Sequence, residues 1–185
     1  MALLEELRAS WGDPDSAPAG LMVAAVREFR AASGDGVECG SGLSTVVLGV
    51  YAEALDRRWW ALDQYPPWAA RVSDSLDRLG IAAARVLDAP LTSYEGYDWY
   101  RIPAELPAAI DFVLCDGPPA DGEQVQLARY GLVPTLGDRF ADDVTILLDD
   151  AARPGEQKVL ELWRGEGWRW RPGEASRQFA IVERA

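Results

Sequence analysis

Apolar residues recur along this chain in two rhythms. Leu3, Leu4 and Leu7 stand at helical spacing, and Met22, Val26 and Phe29 form a second helical stripe from about Pro18 to Ala32, stopped by Gly34. From Gly36 onward short apolar runs alternate with longer helix-patterned ones. The runs predict strands at Gly36–Cys39, Arg58–Leu62, Ala83–Leu87, Ile110–Cys115 and Val144–Leu148. Between and after them the spacing predicts helices at Ser44–Leu55, Pro66–Leu79 (closed by Gly80), Gln124–Thr135 and Gly155–Arg164. Strands separated by helices of this length form βαβ units, hence a parallel sheet covered by helices on both faces. The rhythm breaks after the last helix. Trp168–Pro172 and Gln178–Glu183 are joined only by Gly173 to Arg177, too short for a parallel crossover, so they should pair as an antiparallel hairpin at one sheet edge. No internal repeat or linker interrupts the pattern. It predicts a single α/β domain over residues 1–185, with the N-terminal helices of residues 1–33 packed on it.

Composition narrows the chemistry. The 185 residues are 49% hydrophobic and 26% charged, an ordinary globular balance, with 30 acidic against 18 basic residues and a formal net charge of −12. Such a charge repels the phosphates of nucleic acid and anionic lipid, so neither is an expected partner. Histidine is absent. That excludes Ser-His-Asp and Cys-His nucleophilic units, histidine-ligated zinc, and imidazole as a base. Any proton chemistry falls to carboxylates, tyrosines, lysine or a bound ion. Two glutamates in MALLEELR stand where a signal peptide carries basic residues. Two cysteines, Cys39 and Cys115, make no disulfide framework, and a cytoplasmic setting is expected. The uncharged stretch after Glu38 is too short to span a bilayer.

In an open parallel sheet the ligand crevice lies beyond the carboxyl ends of the strands. After the first strand comes Glu38-Cys39-Gly40-Ser41-Gly42-Leu43-Ser44-Thr45, whose glycines permit a sharp turn and close ligand approach. Taken alone, it is also what a tight strand-to-helix turn requires. The second strand ends in Asp63-Gln64, where a carboxylate about 20 residues past a glycine turn suits a ribose with two free hydroxyls; a cap for the Pro66 helix explains it equally well. The third strand runs into Asp88-Ala89, the fourth into Asp116-Gly117-Pro118-Pro119, and the fifth into Asp149-Asp150. Acids thus stand at or near the ends of all five strands.

The ordered motifs ECGSGLST, WWALDQYPPW, ARVLDAPL, DFVLCDGPP and TILLDDAARPGE, closed by an antiparallel pair, resemble the class I S-adenosylmethionine-dependent methyltransferases. The narrower likeness is to a bacterial subgroup with an E-x-G-S-G-x-S-T first motif and a D-G-P-P turn. Ser44 stands where the commoner first motif has a third glycine. The resemblance implies a Rossmann-like three-layer α/β/α sandwich whose seven-stranded sheet has the order 3-2-1-4-5-7-6. It implies S-adenosyl-L-methionine as cofactor, with Glu38, Gly40, Ser41, Gly42, Ser44 and Thr45 around its methionine part. Asp63 and Gln64 would take the ribose side, Asp88 and Ala89 the adenine, and Asp116 the region of the amino group and transferring methyl. A crevice ringed with carboxylates matches a sulfonium and an ammonium, and mismatches the pyrophosphate of NAD.

Methyl transfer needs an aligned acceptor made nucleophilic. Asp116, Asp149 and Asp150 are similar to the magnesium ligands of catechol-type O-methyltransferases, so Mg2+ or another divalent cation is one expected device; helix capping by Asp150 and ion pairing to Arg153 are the alternatives. The other device is proton abstraction by Asp116 or by Tyr97 or Tyr100, from the aromatic-rich segment Thr92–Pro107. That segment reads as a lid or acceptor wall, or as rings covering the sheet. Trp68 could touch the adenine or simply pack, whereas Trp59, Trp60, Trp163, Trp168 and Trp170 are expected to pack. The cysteines are expected to be structural, because surrounding acids oppose thiolate formation. The function expected is methyl transfer, as O-methylation, to a small-molecule acceptor. A non-catalytic cofactor-binding protein and an NAD(P)-dependent oxidoreductase are the alternatives, and a homodimer is left open.

Overall fold

The computed structural model describes residues 2–119, 127–173 and 178–185. Two helices, α1 (Ala2–Trp11) and α2 (Ala19–Ala31), precede β1 (Gly36–Cys39), α3 (Leu43–Ala54), β2 (Trp59–Asp63), α4 (Pro66–Leu79) and β3 (Ala84–Asp88). A hairpin of β4 (Leu91–Tyr94) and β5 (Tyr97–Tyr100) leads to β6 (Ile110–Cys115). Then come α5 (Leu132–Leu136), β7 (Phe140–Leu148), α6 (Pro154–Gly165), β8 (Trp168–Pro172) and β9 (Ala180–Arg184).

Seven strands form one sheet in the order β3-β2-β1-β6-β7-β9-β8. The first five in that row are parallel, and β9 runs antiparallel to both β7 and β8. Without the inserted β4–β5 hairpin this is the order 3-2-1-4-5-7-6. The first and fourth predicted strands hold their predicted bounds, while β2 and β3 each begin one residue later. The joint between β8 and β9 includes residues 174–177, which lie outside the described residues.

Alternation along each buried strand sends side chains to opposite faces and makes two cores. On one face Phe112, Leu114, Leu147 and Ile181 meet α2 and α3. On the other, Val37, Val113, Ile146, Leu148 and Val182 meet α5, α6 and the hairpin. Helix α4 starts with proline at its first turn and ends at Gly80, whose φ of +71° closes the last turn. Helix α2 buries Leu21, Met22, Ala25 and Phe29, whereas α1 buries no side chain completely. No described helix is long and apolar enough to cross a membrane.

Two expectations are corrected. Among the described residues, the helix expected over Gln124–Thr135 is only α5, preceded by a turn at Leu127–Tyr130; residues 120–126 lie outside the description. Gly131 explains part of this, because a Cβ there would lie 2.4 Å from Trp99 Cγ, so the chain pivots against the indole. The segment Thr92–Pro107 is not a lid. Its first half forms the two-stranded β4–β5 sheet, which lays Trp99 and Tyr100, both fully buried, on the core. That is the sheet-covering alternative.

Close packing is tightest where β1 begins. A Cβ on Gly36 would lie 2.1 Å from the Trp59 ring and 3.1 Å from Phe29, inside an aromatic cluster whose Phe29–Trp59 centroids are 5.0 Å apart. Gly36→Ala should therefore destabilise the fold by about 1–3 kcal/mol through overpacking, read as a lower urea midpoint. An unchanged midpoint would show that the rings yield freely.

Candidate active site

A cavity of about 600 Å³ opens at the carboxyl ends of β1, β2, β6 and β7. Its size is in the range of small-ligand sites. The floor is the turn after β1, where Gly40 takes φ +88° and would bring a Cβ to 3.5 Å from the Gly117 nitrogen. The two turns are stitched together: Gly117 donates its N–H to the Cys39 carbonyl at 2.6 Å and Gly40 to Leu62 at 2.9 Å. Helix α3 then starts with Gly42 donating its N–H to Thr45 Oγ1 at 2.9 Å.

Glu38 holds this turn in shape. Its side chain is 1% exposed and accepts hydrogen bonds from the hydroxyls of Ser44 and Thr45 and, at 3.1 Å, from Trp59 Nε1. One carboxyl therefore joins the first turn of α3 to β1 and β2. Burial pushes its pKa up to about 7, against the pull of those three donors. Trp59, expected only to pack, is thus also a polar partner of the site.

Asp63 shapes the neighbouring turn. It is 3% exposed; its Oδ2 accepts from the Ser41 N–H at 3.1 Å and the Ser41 hydroxyl at 2.5 Å, and its Oδ1 from the Tyr65 N–H at 2.8 Å. A carboxylate oxygen has two acceptor sites, so Oδ1 retains capacity for a ligand hydroxyl. Gln64 also lines the cavity, and its Oε1 is buried without a hydrogen-bond partner. Such an orphaned acceptor fits a ligand donor.

The opposite wall comes from a segment that carries no recognisable site motif: Arg8, Asp13, Pro14, Asp15, Ser16 and Pro18. Arg71 clamps it to the body. Its guanidinium donates to the Trp11 carbonyl at 2.7 Å and lies 5.4 Å from the Trp11 ring centroid and 4.7 Å from that of Trp68. Trp68 in turn donates its indole N–H to the Ser41 carbonyl at 2.7 Å. Trp68 therefore lines the cavity and packs at once.

Asp116, Asp149 and Asp150 bring ligand oxygens to within 4.8 Å of one another. The structure also places an arginine there. Arg129, 2% exposed, donates through Nη2 to Asp150 Oδ2 at 3.1 Å and lies 3.5 Å from Asp116 Oδ1. Arg153 pairs with Asp150 from outside at 3.0 Å. Arg129 and Arg153 already pair with these carboxylates, and a divalent ion about 4 Å from the Arg129 guanidinium would meet roughly 8 kcal/mol of repulsion at an effective dielectric near 20, set against acids whose charge is largely offset. These residues do not fit a divalent cation. Burial, then the charge of Asp149, keeps Asp116 above the ordinary carboxylate range; burial, then the charge of Asp150, does the same for Asp149, with Arg129 opposing both. Arg129 did have a signal in sequence: it is the only charge between Gln124 and Leu136.

Several expected site residues lie elsewhere. Glu38, Gly40, Ser41, Ser44, Asp63, Gln64, Asp116, Asp149 and Asp150 line the described cavity; Gly42, Thr45, Asp88, Ala89, Tyr97 and Tyr100 do not. Asp88 is exposed at the end of β3, and Ala89 and Thr45 are buried. Tyr97 stacks on Tyr94 at 5.3 Å and meets Tyr130 edge-on at 5.1 Å. Tyr100 is packed beneath Gly117, its hydroxyl unpartnered and its pKa raised by burial. Neither tyrosine is placed to act as a base in this cavity. Cys39 and Cys115 sit side by side on β1 and β6, free and buried, and burial raises the Cys39 pKa.

No family model matches this sequence, and no curated protein matches it. Solved structures do match its shape. An SAH-bound Podospora anserina methyltransferase, PaMTH1, aligns over 98% of this chain and 85% of its own with a TM-score of 0.67 and 15% identity. The fold is that of the methyltransferases. A precorrin-6y C5,15-methyltransferase from Geobacter metallireducens shares it, covering 92% of this chain and 90% of its own at TM-score 0.62 and 13% identity. So does a ribosomal protein L11 methylase from Lactobacillus delbrueckii subsp. bulgaricus, at TM-score 0.58 and 14% identity, over 89% of this chain and 77% of its own. One of these is named for a ribosomal protein and another for a precorrin, so the same fold serves chemically different acceptors.

The buried Glu38 carboxyl gives a pH test. Its folded pKa is raised from 4.5 to about 7, so its contribution to stability is full below about 4.5 and lost as pH rises through about 7. Glu38→Gln should flatten the pH dependence of the urea midpoint across that window, by on the order of 2–3 kcal/mol. Parallel profiles for the two proteins would mean that Glu38 is ionised throughout.

Proposed function

We propose that this chain is an S-adenosylmethionine-dependent methyltransferase that methylates an oxygen of a small-molecule acceptor. The observation that carries the reading is the convergence of Glu38, Asp63 and Asp116 with the Gly40 turn on one cavity, at the strand ends where this fold binds ligands. Seven acids and three arginines line that cavity, a surplus of negative charge suited to a sulfonium and an ammonium and unsuited to the pyrophosphate of NAD(P). Gly40, Ser41 and Ser44 would hold the methionine part, and Asp63 and Gln64 the ribose and its neighbourhood. S-adenosylmethionine supplies an electrophilic methyl group on its sulfonium. Asp116, whose pKa is raised toward the working range by burial and by Asp149, is the base proposed to take the acceptor's proton. An acidic protein favours a small acceptor over nucleic acid, whose phosphates its net charge repels. The two free, buried cysteines fit a cytoplasmic setting.

Calorimetry with S-adenosylmethionine and S-adenosylhomocysteine tests this reading. Both should bind, and Asp63→Ala should weaken binding by about 1–3 kcal/mol through the lost acceptor. Unchanged affinity would restrict Asp63 to its bonds with Ser41 and Tyr65. No heat with either compound would sink the proposal, and binding without transfer to any acceptor tried would favour a non-catalytic cofactor-binding protein.

A further inference from the structure

We propose that Arg129 is the resident cation of this site: its guanidinium stands among Asp116, Asp149 and Asp150 in the place a divalent ion would take, and the site works without such an ion. The substitution stands on geometry alone; its consequence, methyl transfer without a divalent ion, rests on the function proposed above.

Three carboxylates with oxygens this close are the donor set of a hard cation. Arg129 meets the same demand from within the chain. Its Nη1 donates to the Asp149 carbonyl at 2.5 Å, and its Nη2 to the Asp116 carbonyl at 2.7 Å and to Asp150 Oδ2 at 3.1 Å. One planar group thus ties together the ends of β6 and β7 and neutralises the carboxylates that emerge there. The planar fork matters, because two nitrogens reach two different strand ends at once. Its Nε is buried without a hydrogen bond, 3.9 Å from Oε1 of the buried Glu156 on α6. Asp150, in a left-handed conformation with φ +55°, is turned so that its carboxylate lies between Arg129 and Arg153. A buried cation so enclosed persists only when paired, and removing it would leave the acids uncompensated.

The consequence is that Asp116 is oriented by a fixed protein group. Its Oδ1 faces Arg129, and a quarter of its side-chain surface remains open. Arg129 is on this account a positioning residue, acting on the acceptor through Asp116.

Titration with Mn2+, followed by the electron paramagnetic resonance signal of the free ion, tests the substitution without any cofactor or acceptor. Wild-type protein should leave Mn2+ free at millimolar concentrations. Arg129→Met, which keeps the bulk and removes the charge, should gain Mn2+ affinity by at least about tenfold, and the added Asp150→Asn change should abolish the gain. Arg129→Lys, which restores the charge, should bind Mn2+ no better than wild type. A merely structural role for Arg129 would not separate Met from Lys in this way. Wild-type Mn2+ binding that Asp150→Asn removes would overturn the proposal, as would a folded Arg129→Met protein with no gain. If Arg129→Met folds only with Mn2+ present, the ion is replacing the missing charge and the proposal stands; if it fails to fold either way, the wild-type and Asp150→Asn titrations decide. Binding of S-adenosylhomocysteine, measured separately, reports on the methyltransferase reading and leaves the Mn2+ result unaffected.

Discussion

Parallel strands that all end at one edge deliver their terminal carboxylates to one crevice, and each must be neutralised or protonated there. Four of them, Glu38, Asp63, Asp116 and Asp149, line the same cavity. Carboxylates placed this close cannot all ionise unless donors or cations compensate them. Much of the polar structure at this end of the molecule is such compensation. Glu38 is met by two hydroxyls and an indole, Asp63 by the hydroxyl and amide of Ser41 and the amide of Tyr65, and the β6 and β7 acids by Arg129. Apart from the Trp59 indole, which comes from β2, each partner belongs to a turn or helix start. The carboxylates therefore set the glycine turn, the entry to α3 and the turn before α4, and they shape the cavity before any ligand arrives.

Apolar packing does the complementary work of keeping the crevice rigid from beneath. Tyr100 fills the space under Gly117, and Trp99 presses on Gly131, two residues beyond Arg129. The β4–β5 hairpin is thus a support for the site and no part of its described wall. The wall opposite is built differently, by a peripheral segment that Arg71 ties to the body between two tryptophans while Leu4, Trp11 and Ala17 pack on the core. Exposed contacts of that kind are individually modest. The cavity has one side founded on a buried sheet and another held by a few core contacts together with surface interactions.

The strand and helix rhythm is legible in the sequence because burial on both faces of a parallel sheet demands continuous apolar runs, and the crossovers demand helices. The acids at the strand ends are legible for the same reason: each follows an apolar run directly. Two signals pointed to features that periodicity alone missed. Glu95-Gly96, between residues of high strand propensity, is a hairpin turn signal, and Gly96 takes φ +89°. Arg129, a lone cation in an uncharged stretch, needs a buried acidic partner. Neither the clamp of Arg71 on Trp11 nor the donation from Trp59 to Glu38 has such a signal, since each joins residues 21 or more positions apart through side-chain direction alone.

By itself the sequence determined the sheet, its order of helices and strands, and the set of carboxylates presented at its edge, because these follow from hydrophobic periodicity and from where each apolar run stops. Only the tertiary structure decided what those carboxylates face. Whether an acid cluster meets a metal, a solvent shell or a guanidinium depends on where one side chain from a distant turn comes to rest. Here the arginine reaches the ends of β6 and β7, and the tyrosines that looked available for catalysis are spent on packing.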